Sequence, residues 1–270
     1  MKKIFDTIGW FLKKTGDDAL DAWAGQSAFF IVISFFPALV LVVSLCRAMH
    51  IAESELLGEL VQLLPAAAAE LIFGVIQEAT ARAEAAFVSI SAVTALWAIS
   101  RSIYAVAKGL GVVYEVKETR HFLVVRVISF VYTILFFVLI ALALVLLVFW
   151  QSIITWLVPL FPGFQSTAFF ILSFRSLAAA VVFIMFFTLM YKVLPNNPMK
   201  ISGLLPGAVF SALGWLVFSR LFSFYIDNFS NYASLYGSLT AVVLLMLWMY
   251  FCMYILFFGG AVNMWLQQRK

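Results

Sequence analysis

The chain is dominated by long runs of apolar residues that are separated by short polar or proline-containing breaks. Six of these runs are long enough to cross the hydrocarbon core of a bilayer, which needs about 20 residues of helix. They extend over residues 27–49, 86–107, 122–150, 167–191, 201–225 and 236–266. We therefore predict an all-α polytopic membrane protein, with six transmembrane helices in a single integral membrane domain over residues 1–270.

Two further segments combine apolar and charged residues at helical spacing. In residues 1–25, apolar side chains at positions 4, 5, 8, 11 and 12 alternate with lysines at 2, 3, 13 and 14. This pattern predicts an interfacial helix on the cytoplasmic leaflet, with a solvated tail as the alternative. In residues 50–85, glutamates interrupt two short apolar stripes that are divided near Pro65. Neither stripe is long enough to span, so we predict an extracytoplasmic amphipathic helical hairpin between spans one and two.

Composition and charge support the membrane assignment and orient the chain. Hydrophobic residues make up 65% of the chain and charged residues only 11%, whereas a soluble domain carries about 25% charged residues. Six spans put both termini on one side, and the loop lysines and arginines fall on that side, with Arg82 alone on the other. The positive-inside rule therefore places both termini in the cytoplasm. The basic residues on that side are Lys2, Lys3, Lys13, Lys14, Lys108, Lys117, Arg120, Lys192, Lys200, Arg269 and Lys270.

Charge inside the predicted spans is entirely positive. Arg101, Arg175 and Arg220 lie within spans two, four and five, and no Asp or Glu lies inside any span. An arginine at the bilayer centre costs about 2.5 to 3.5 kcal/mol on insertion scales, so such residues are functional candidates. A positive interior favours an anionic guest such as a phosphate headgroup. The alternative is that these arginines snorkel to headgroups or bond carbonyls at helix ends.

Small residues and amides in the last two spans are a second source of candidates. Gly207 belongs to a series of small residues in span five that recur about once per helical turn, a pattern that brings another backbone close. Packing alone and the lining of a site are the two interpretations of this series. Asn196 and Asn263 lie at the cytoplasmic end of the spans. These asparagines either cap a helix or line an inner vestibule.

Signatures of catalysis and of cofactor binding are absent from the sequence. It has no Walker loop, no zinc-protease or serine-hydrolase motif and no paired carboxylates within a span. The two histidines, His50 and His121, fall on opposite sides of the predicted membrane, and the basic residues do not interleave with aromatics as in an RNA-binding surface. We therefore expect no catalytic residue, metal, cofactor or nucleic-acid partner, and predict that the protein is not an enzyme.

Several short motifs, taken in order, resemble the YihY/BrkB family of bacterial inner-membrane proteins. They are Ser34-Phe35-Phe36-Pro37, Tyr191 to Asn196, Leu205-Pro206-Gly207-Ala208, Tyr236-Gly237-Ser238, and Gly259-Gly260-Ala261 with Asn263. Where the family often has arginine after the tyrosine of the second motif, this chain has Lys192, which keeps the charge but not the bidentate geometry. The resemblance implies a six-helix, multi-pass protein of the bacterial inner membrane, transporter-like or linked to envelope integrity. The family was once labelled ribonuclease BN, but the sequence offers no metal-binding cluster for such chemistry.

Together these patterns predict a transporter-like membrane protein that handles an anionic amphiphile or lipid headgroup through an arginine-lined cavity. Membrane lipids are its expected partners. The alternative is an envelope scaffold without transport activity, whose hairpin at residues 50–85 docks an extracytoplasmic protein. The candidate substrate-binding residues are Arg175, Arg220, Arg101, Lys192, Asn196, Gly207 and Asn263.

Overall fold

Helices account for nearly all of the chain that the structure describes. The computed structural model describes residues 2–48, 85–116, 119–121, 123–125, 127–132, 168–229 and 240–269. Within these ranges there is no β-strand, which confirms the predicted all-α class. The long helices are α1 (Lys2–Asp17), α2 (Leu20–Ala48), α3 (Ala85–Val113), α4 (Ala168–Val193), α5 (Ile201–Phe229) and α6 (Thr240–Gln267). Short helical pieces at 123–125 and 127–132 follow α3.

Among the described residues, two helical stretches are long and apolar enough to cross a membrane, namely Ile201–Ile226 within α5 and Val242–Gln267 within α6. Shorter apolar helical stretches occupy Leu20–Ser34, Leu123–Tyr132 and Ala180–Val193. The six-span arrangement stays a prediction, because most of predicted span three lies outside the described residues. The predicted hairpin at 50–85 also lies outside them, apart from Ala85, which begins α3.

Helix α6 is the centre of the described bundle. It packs against α2, α3 and α5, while α2 runs along α3 and α4 packs on α5. Small buried side chains such as Ala28 and Ala98 let α2 and α3 approach closely, and the Ser102 hydroxyl donates to the Ser27 carbonyl across this interface at 3.0 Å. The C-terminal ends of α3, α4 and α6 therefore meet the N-terminal ends of α2 and α5 at one end of the bundle.

Helix α1 is shorter than the interfacial helix predicted for residues 1–25. It ends at Asp17, Ala19 takes the left-handed conformation with φ of 48°, and α2 begins at Leu20. The prediction placed residues 20–25 on the surface because of their mixed polarity, but Leu20 and Ala24 are fully buried in the core.

The two faces of α1 meet different surroundings. Phe11 stacks on Phe258 of α6 with ring centroids 5.0 Å apart. On the other face Phe5, Ile8 and Leu12 are exposed. This exposed apolar stripe matches the amphipathic pattern of an interfacial helix.

Helix α3 is longer than predicted at its C-terminal end. The sequence predicted a polar loop from Lys108 to His121, whereas α3 continues to Val113. The helix accommodates Lys108 because its ammonium bends back over the Tyr104 ring, 5.6 Å from the centroid. It ends with Glu115 at φ 55°, and hydrogen bonds from the amides of Glu115 and Val116 close the last turn.

Candidate functional site

Helices α5 and α6 approach each other closely where Gly207 on α5 meets Gly259 on α6. A methyl group added to Gly207 would overlap the Gly259 carbonyl oxygen and lie 2.6 Å from the Asn263 Cγ. A methyl group added to Gly259 would overlap the Ser211 Oγ and lie 2.6 Å from the Tyr191 hydroxyl. Only glycine fits at both positions, so the small residues of α5 serve to bring two helix backbones together.

Asn263 connects this crossing to α3. Its Oδ1 accepts a hydrogen bond from the Gly207 amide at 2.6 Å, and its Nδ2 donates to the Tyr114 hydroxyl at 2.9 Å. In α5, Gly207 follows Pro206, which has no amide hydrogen. The proline ring also clashes with the carbonyl four residues earlier, and this loosens the helix locally. Asn263 is completely buried. Its amide therefore fixes α3, α5 and α6 relative to one another.

Tyr191 brings α4 into the same arrangement. Its hydroxyl donates to the Leu256 carbonyl at 2.7 Å and lies 2.7 Å from the Ser211 Oγ, which in turn donates to the Ile255 carbonyl at 3.1 Å. The hydroxyl groups of Tyr191 and Ser211 are thus in contact with each other and with two backbone carbonyls of α6. The ring centroids of Tyr191 and Tyr114 are 6.0 Å apart. Four helices meet here, and we call this set of residues the polar cluster: Tyr114, Tyr191, Gly207, Ser211, Gly259 and Asn263.

Two more of the predicted residues lie where α4 ends: Lys192 in the last turn of α4 and Asn196 in the turn between α4 and α5. Asn196 takes the left-handed conformation with φ of 50°, which asparagine tolerates better than most residues. Its amide donates to the Val193 carbonyl, and the Asn197 amide donates to the Lys192 carbonyl, which is the Schellman pattern of a helix end. The Lys192 ammonium donates to the carbonyls of Asn197 and Met199 at 2.8 Å each. Both predicted residues therefore stabilise the turn.

Arg120 holds the same end of α4 from outside. Its guanidinium donates to the Val193 carbonyl at 3.2 Å and to the Leu194 carbonyl at 2.7 Å. A cation is favourable at this position because the last carbonyls of a helix carry partial negative charge. The hydroxyl of Tyr132 adds a bond to the Leu189 carbonyl at 3.0 Å. The chain after α3 is thus fastened to α4 by polar contacts.

A cavity of about 340 Å³ lies beside this junction. It is bounded by the last turns of α3, by Val125 and by Pro195 of the α4–α5 turn. Its walls are apolar except for Lys108 and Glu115. The Glu115 carboxylate accepts a hydrogen bond from the Lys14 ammonium at 2.7 Å, which ties it to α1.

Asp18 shares the same lysine. Its carboxylate lies 3.2 Å from the Lys14 ammonium, and the side chain is buried between α1 and α2. Burial raises the pKa of the Asp18 carboxyl above its usual 3.8, an effect that outweighs the opposing pull of Lys14. The single positive charge of Lys14 is therefore shared between two neighbouring carboxylates, one buried and one at the cavity.

Two of the predicted arginines, Arg101 and Arg220, do not meet the polar cluster. Arg101 on α3 is exposed, with its guanidinium carbon 5.6 Å from the Trp97 ring centroid. Arg220 on α5 is also exposed and is 13 residues from Gly207, which is about 20 Å along a helix. Arg175 lies on α4, and its side chain falls outside the described set. Of the predicted site residues, the structure brings Gly207 and Asn263 into contact and puts Lys192 and Asn196 in the neighbouring turn.

Four residues of the polar cluster, namely Tyr114, Tyr191, Ser211 and Gly259, were not among the predicted site residues. Tyr191 and Gly259 stood within the motifs of the family resemblance, and Gly259 precedes Asn263 by four residues, which places both on one face of α6. Tyr114 had no such signal, because it lies 149 residues from its partner Asn263 in sequence. Ser211 continued the small-residue series of Gly207.

Comparison with known proteins gives a consistent family assignment. The family described as virulence factor BrkB matches residues 11–270. The chain is 31% identical over 254 residues to the ribonuclease-like protein YfkH of Bacillus subtilis, covering 92% of this chain and 90% of that protein. It is 30% identical over 164 residues to the UPF0761 membrane protein IL2447 of Idiomarina loihiensis, covering 61% and 56% of the two chains. No solved structure matches the chain.

Proposed function

We propose a function from one established premise: the chain belongs to the BrkB family, and with it to a group of membrane proteins. On that premise we infer a multi-pass protein of the bacterial inner membrane with six spans and cytoplasmic termini. Its proposed activity is the transport of an anionic amphiphile, such as a lipid with a phosphate headgroup. Membrane lipids are accordingly its proposed partners.

One observation carries this proposal: each described span arginine is a single cation within an exposed apolar stripe. Arg220 shares the outer face of α5 with Val217, Leu221 and Phe224, all more than half exposed. These positions are three, one and four residues from Arg220, so they share one face of the helix. The side chains beside this guanidinium are those that favour hydrocarbon.

Arg101 repeats the arrangement on α3. The exposed stripe there consists of Ile90, Val93 and Trp97, and the Trp97 ring lies against the guanidinium. A guanidinium on an apolar face is expensive to leave without an anion, because charge is poorly solvated in hydrocarbon. A phosphate group can accept two parallel hydrogen bonds from the planar guanidinium. If the phosphate belongs to an amphiphile, the apolar tail of that ligand can lie along the rest of the apolar stripe. This combination of charge and apolar surface supports an amphiphilic ligand over a soluble anion.

The polar cluster has a supporting role in this proposal. Gly207 and Asn263 were candidate substrate-binding residues, but they are buried and hydrogen-bonded to each other. Lys192 and Asn196 are engaged in the α4–α5 turn. We therefore assign these four residues to holding the helices in register, and the arginines to contact with the ligand.

The test is lipid translocation in proteoliposomes. Purified protein is reconstituted with fluorescent phosphatidylglycerol or fluorescent phosphatidylcholine, and the rate at which each probe changes leaflet is measured. We expect wild type to accelerate the anionic probe over empty vesicles. Arg101→Gln and Arg220→Gln should each lower that rate about ten-fold, the effect of losing one hydrogen bond to a charged group. The Arg175→Ala/Arg220→Ala double variant tests whether Arg175 belongs to the same path.

Lys200→Gln is the matched control, because Lys200 is an exposed cation just before α5 and outside the apolar stripe. It should keep the wild-type rate. Rates equal to those of empty vesicles for both probes would contradict transport. Wild-type rates in every arginine variant would remove the arginines from the path and leave them as residues that bind surrounding lipid.

We also propose that the protein is not an enzyme. The ribonuclease-like name belongs to YfkH, and among the described residues of this chain no group of three or more His, Cys, Asp or Glu is placed to hold a metal ion. Pure protein incubated with RNA and Mg²⁺ should degrade no more RNA than buffer does. Cleavage that copurifies with the protein and stops when EDTA is added would overturn this part of the proposal.

A further inference from the structure

The cavity beside α3 has the size and position of a small-ligand site. Its volume of about 340 Å³ falls at the lower end of the range of about 300 to 1,000 Å³ that is usual for such sites. It opens where α3 ends and the α4–α5 turn begins, with Val125 on one side and Pro195 on the other. The polar cluster next to it holds these elements in a fixed arrangement.

The charges at the cavity leave one cation available. Glu115 is paired with Lys14 at 2.7 Å. Lys108 has no carboxylate within ion-pair distance among the described residues, and its ammonium lies over the face of Tyr104. A cation against apolar walls is poorly solvated, so an anion is favourable beside it.

Other basic side chains of this region are engaged with carbonyl groups. Lys192 donates to the carbonyls of Asn197 and Met199, and Arg120 donates to those of Val193 and Leu194. Lys108 is therefore the cation that this cavity offers to a ligand.

We propose that this cavity binds an anionic amphiphile, with the apolar part between the walls of α3 and Pro195 and the anionic group at the Lys108 ammonium. This inference rests on the proposed function, whose ligand class it shares. It assigns that ligand a second contact point, at the end of the bundle where α3 and α4 terminate. The exposed arginines and Lys108 would then mark two positions of the same kind of ligand.

The experiment is photo-crosslinking in vesicles. Wild-type protein is reconstituted with phosphatidylglycerol or phosphatidylcholine that carries a diazirine on the acyl chain. After irradiation, the fraction of each probe attached to peptides containing residues 107–116 is measured by mass spectrometry. We expect the anionic probe to label these residues about ten-fold more than the neutral one, since it adds a charge-assisted contact to Lys108.

Three variants separate the effect of the charge from that of the cavity. Lys108→Gln should lower labelling by phosphatidylglycerol to the level of phosphatidylcholine, and Lys108→Arg should restore it. Gly111→Leu should lower labelling by both probes, because Gly111 faces the cavity and an added Cβ meets only the Val116 carbonyl oxygen at 3.6 Å. The matched controls are Lys13→Gln on the exposed side of α1 and Gly25→Leu, where an added Cβ meets no atom within 4 Å.

The outcomes distinguish this site from the proposed transport. Equal labelling by the two probes, or an unchanged ratio in Lys108→Gln, overturns the site even if lipid translocation is found. Labelling that depends on Lys108 without any translocation upholds the site and removes transport. Inorganic phosphate should not compete, because it lacks an apolar part. Competition by inorganic phosphate at concentrations near that of the probe would overturn the proposal of an amphiphilic ligand and indicate a soluble anion.

Discussion

Replacing Gly207 with alanine should separate α5 from α6. The new methyl group would overlap the Gly259 carbonyl oxygen and crowd the Asn263 side chain. Overpacking of this kind costs about 1 to 3 kcal/mol, and loss of the bond from the Gly207 amide to Asn263 leaves buried groups unpaired at a further cost of about 1 to 3 kcal/mol. Alanine returns about 1 kcal/mol through its higher helix propensity. We expect a net loss of about 1 to 5 kcal/mol in the free energy of unfolding.

The control for this variant lies one helical turn away. A methyl group at Gly203 would meet only the flexible end of Met199 at 3.4 Å. Gly203→Ala should therefore leave stability unchanged or raise it by up to about 1 kcal/mol. Both free energies can be measured by titrating detergent-solubilised protein with sodium dodecyl sulfate and following the loss of helix by circular dichroism. If Gly207→Ala and Gly203→Ala agree within about 0.5 kcal/mol, the backbones of α5 and α6 are not in contact at Gly207.

Two more predictions concern polar groups. Tyr191→Phe should lower the free energy of unfolding by about 1 to 3 kcal/mol, because the Leu256 carbonyl and the Ser211 hydroxyl lose a partner. The same titration with sodium dodecyl sulfate measures this loss. A loss no larger than that of Ser211→Ala would refute the prediction that Tyr191 contributes more than Ser211 to the cluster. Burial raises the pKa of the Asp18 carboxyl in the folded state above its ordinary value of 3.8, so folding disfavours the ionised form. The free energy of unfolding should therefore fall as the pH rises from about 3.8 through the folded-state pKa. Asp18→Asn should remove that slope in melting temperatures measured across the acidic range, and an unchanged slope would contradict the burial argument.

Hydropathy and residue size were enough to predict the long helices that the structure describes from α2 to α6, and a close helix contact at Gly207. Long apolar runs leave few alternatives to a helix in a membrane, because every backbone polar group must be bonded within the segment. A series of small residues lets another backbone come close, and close packing was one of the two interpretations given to it. The bounds of α4 and α5 follow the predicted spans to within a few residues for the same reason.

The contacts between distant segments could not be predicted in this way. Periodicity identifies the apolar face of a helix but not the helix that covers it, so nothing in the sequence connected Tyr114 to Asn263. Charge was also misleading at Lys108, which was assigned to a loop although its long side chain lets the helix continue by folding over Tyr104. Sequence alone did not place Arg101 and Arg220 on exposed apolar faces, because both helices are apolar on all sides and the sequence does not show which side another helix covers.

The most direct test of the account is the ratio of two translocation rates in vesicles that contain only the wild-type protein. Fluorescent phosphatidylglycerol and phosphatidylcholine would be followed in the same preparation, each corrected for the rate in empty vesicles. Transport of an anionic amphiphile predicts a ratio well above one, because Arg101 and Arg220 favour the phosphate group that is not balanced by a choline. A corrected rate of zero for both probes, or a ratio of one, would contradict the central claim.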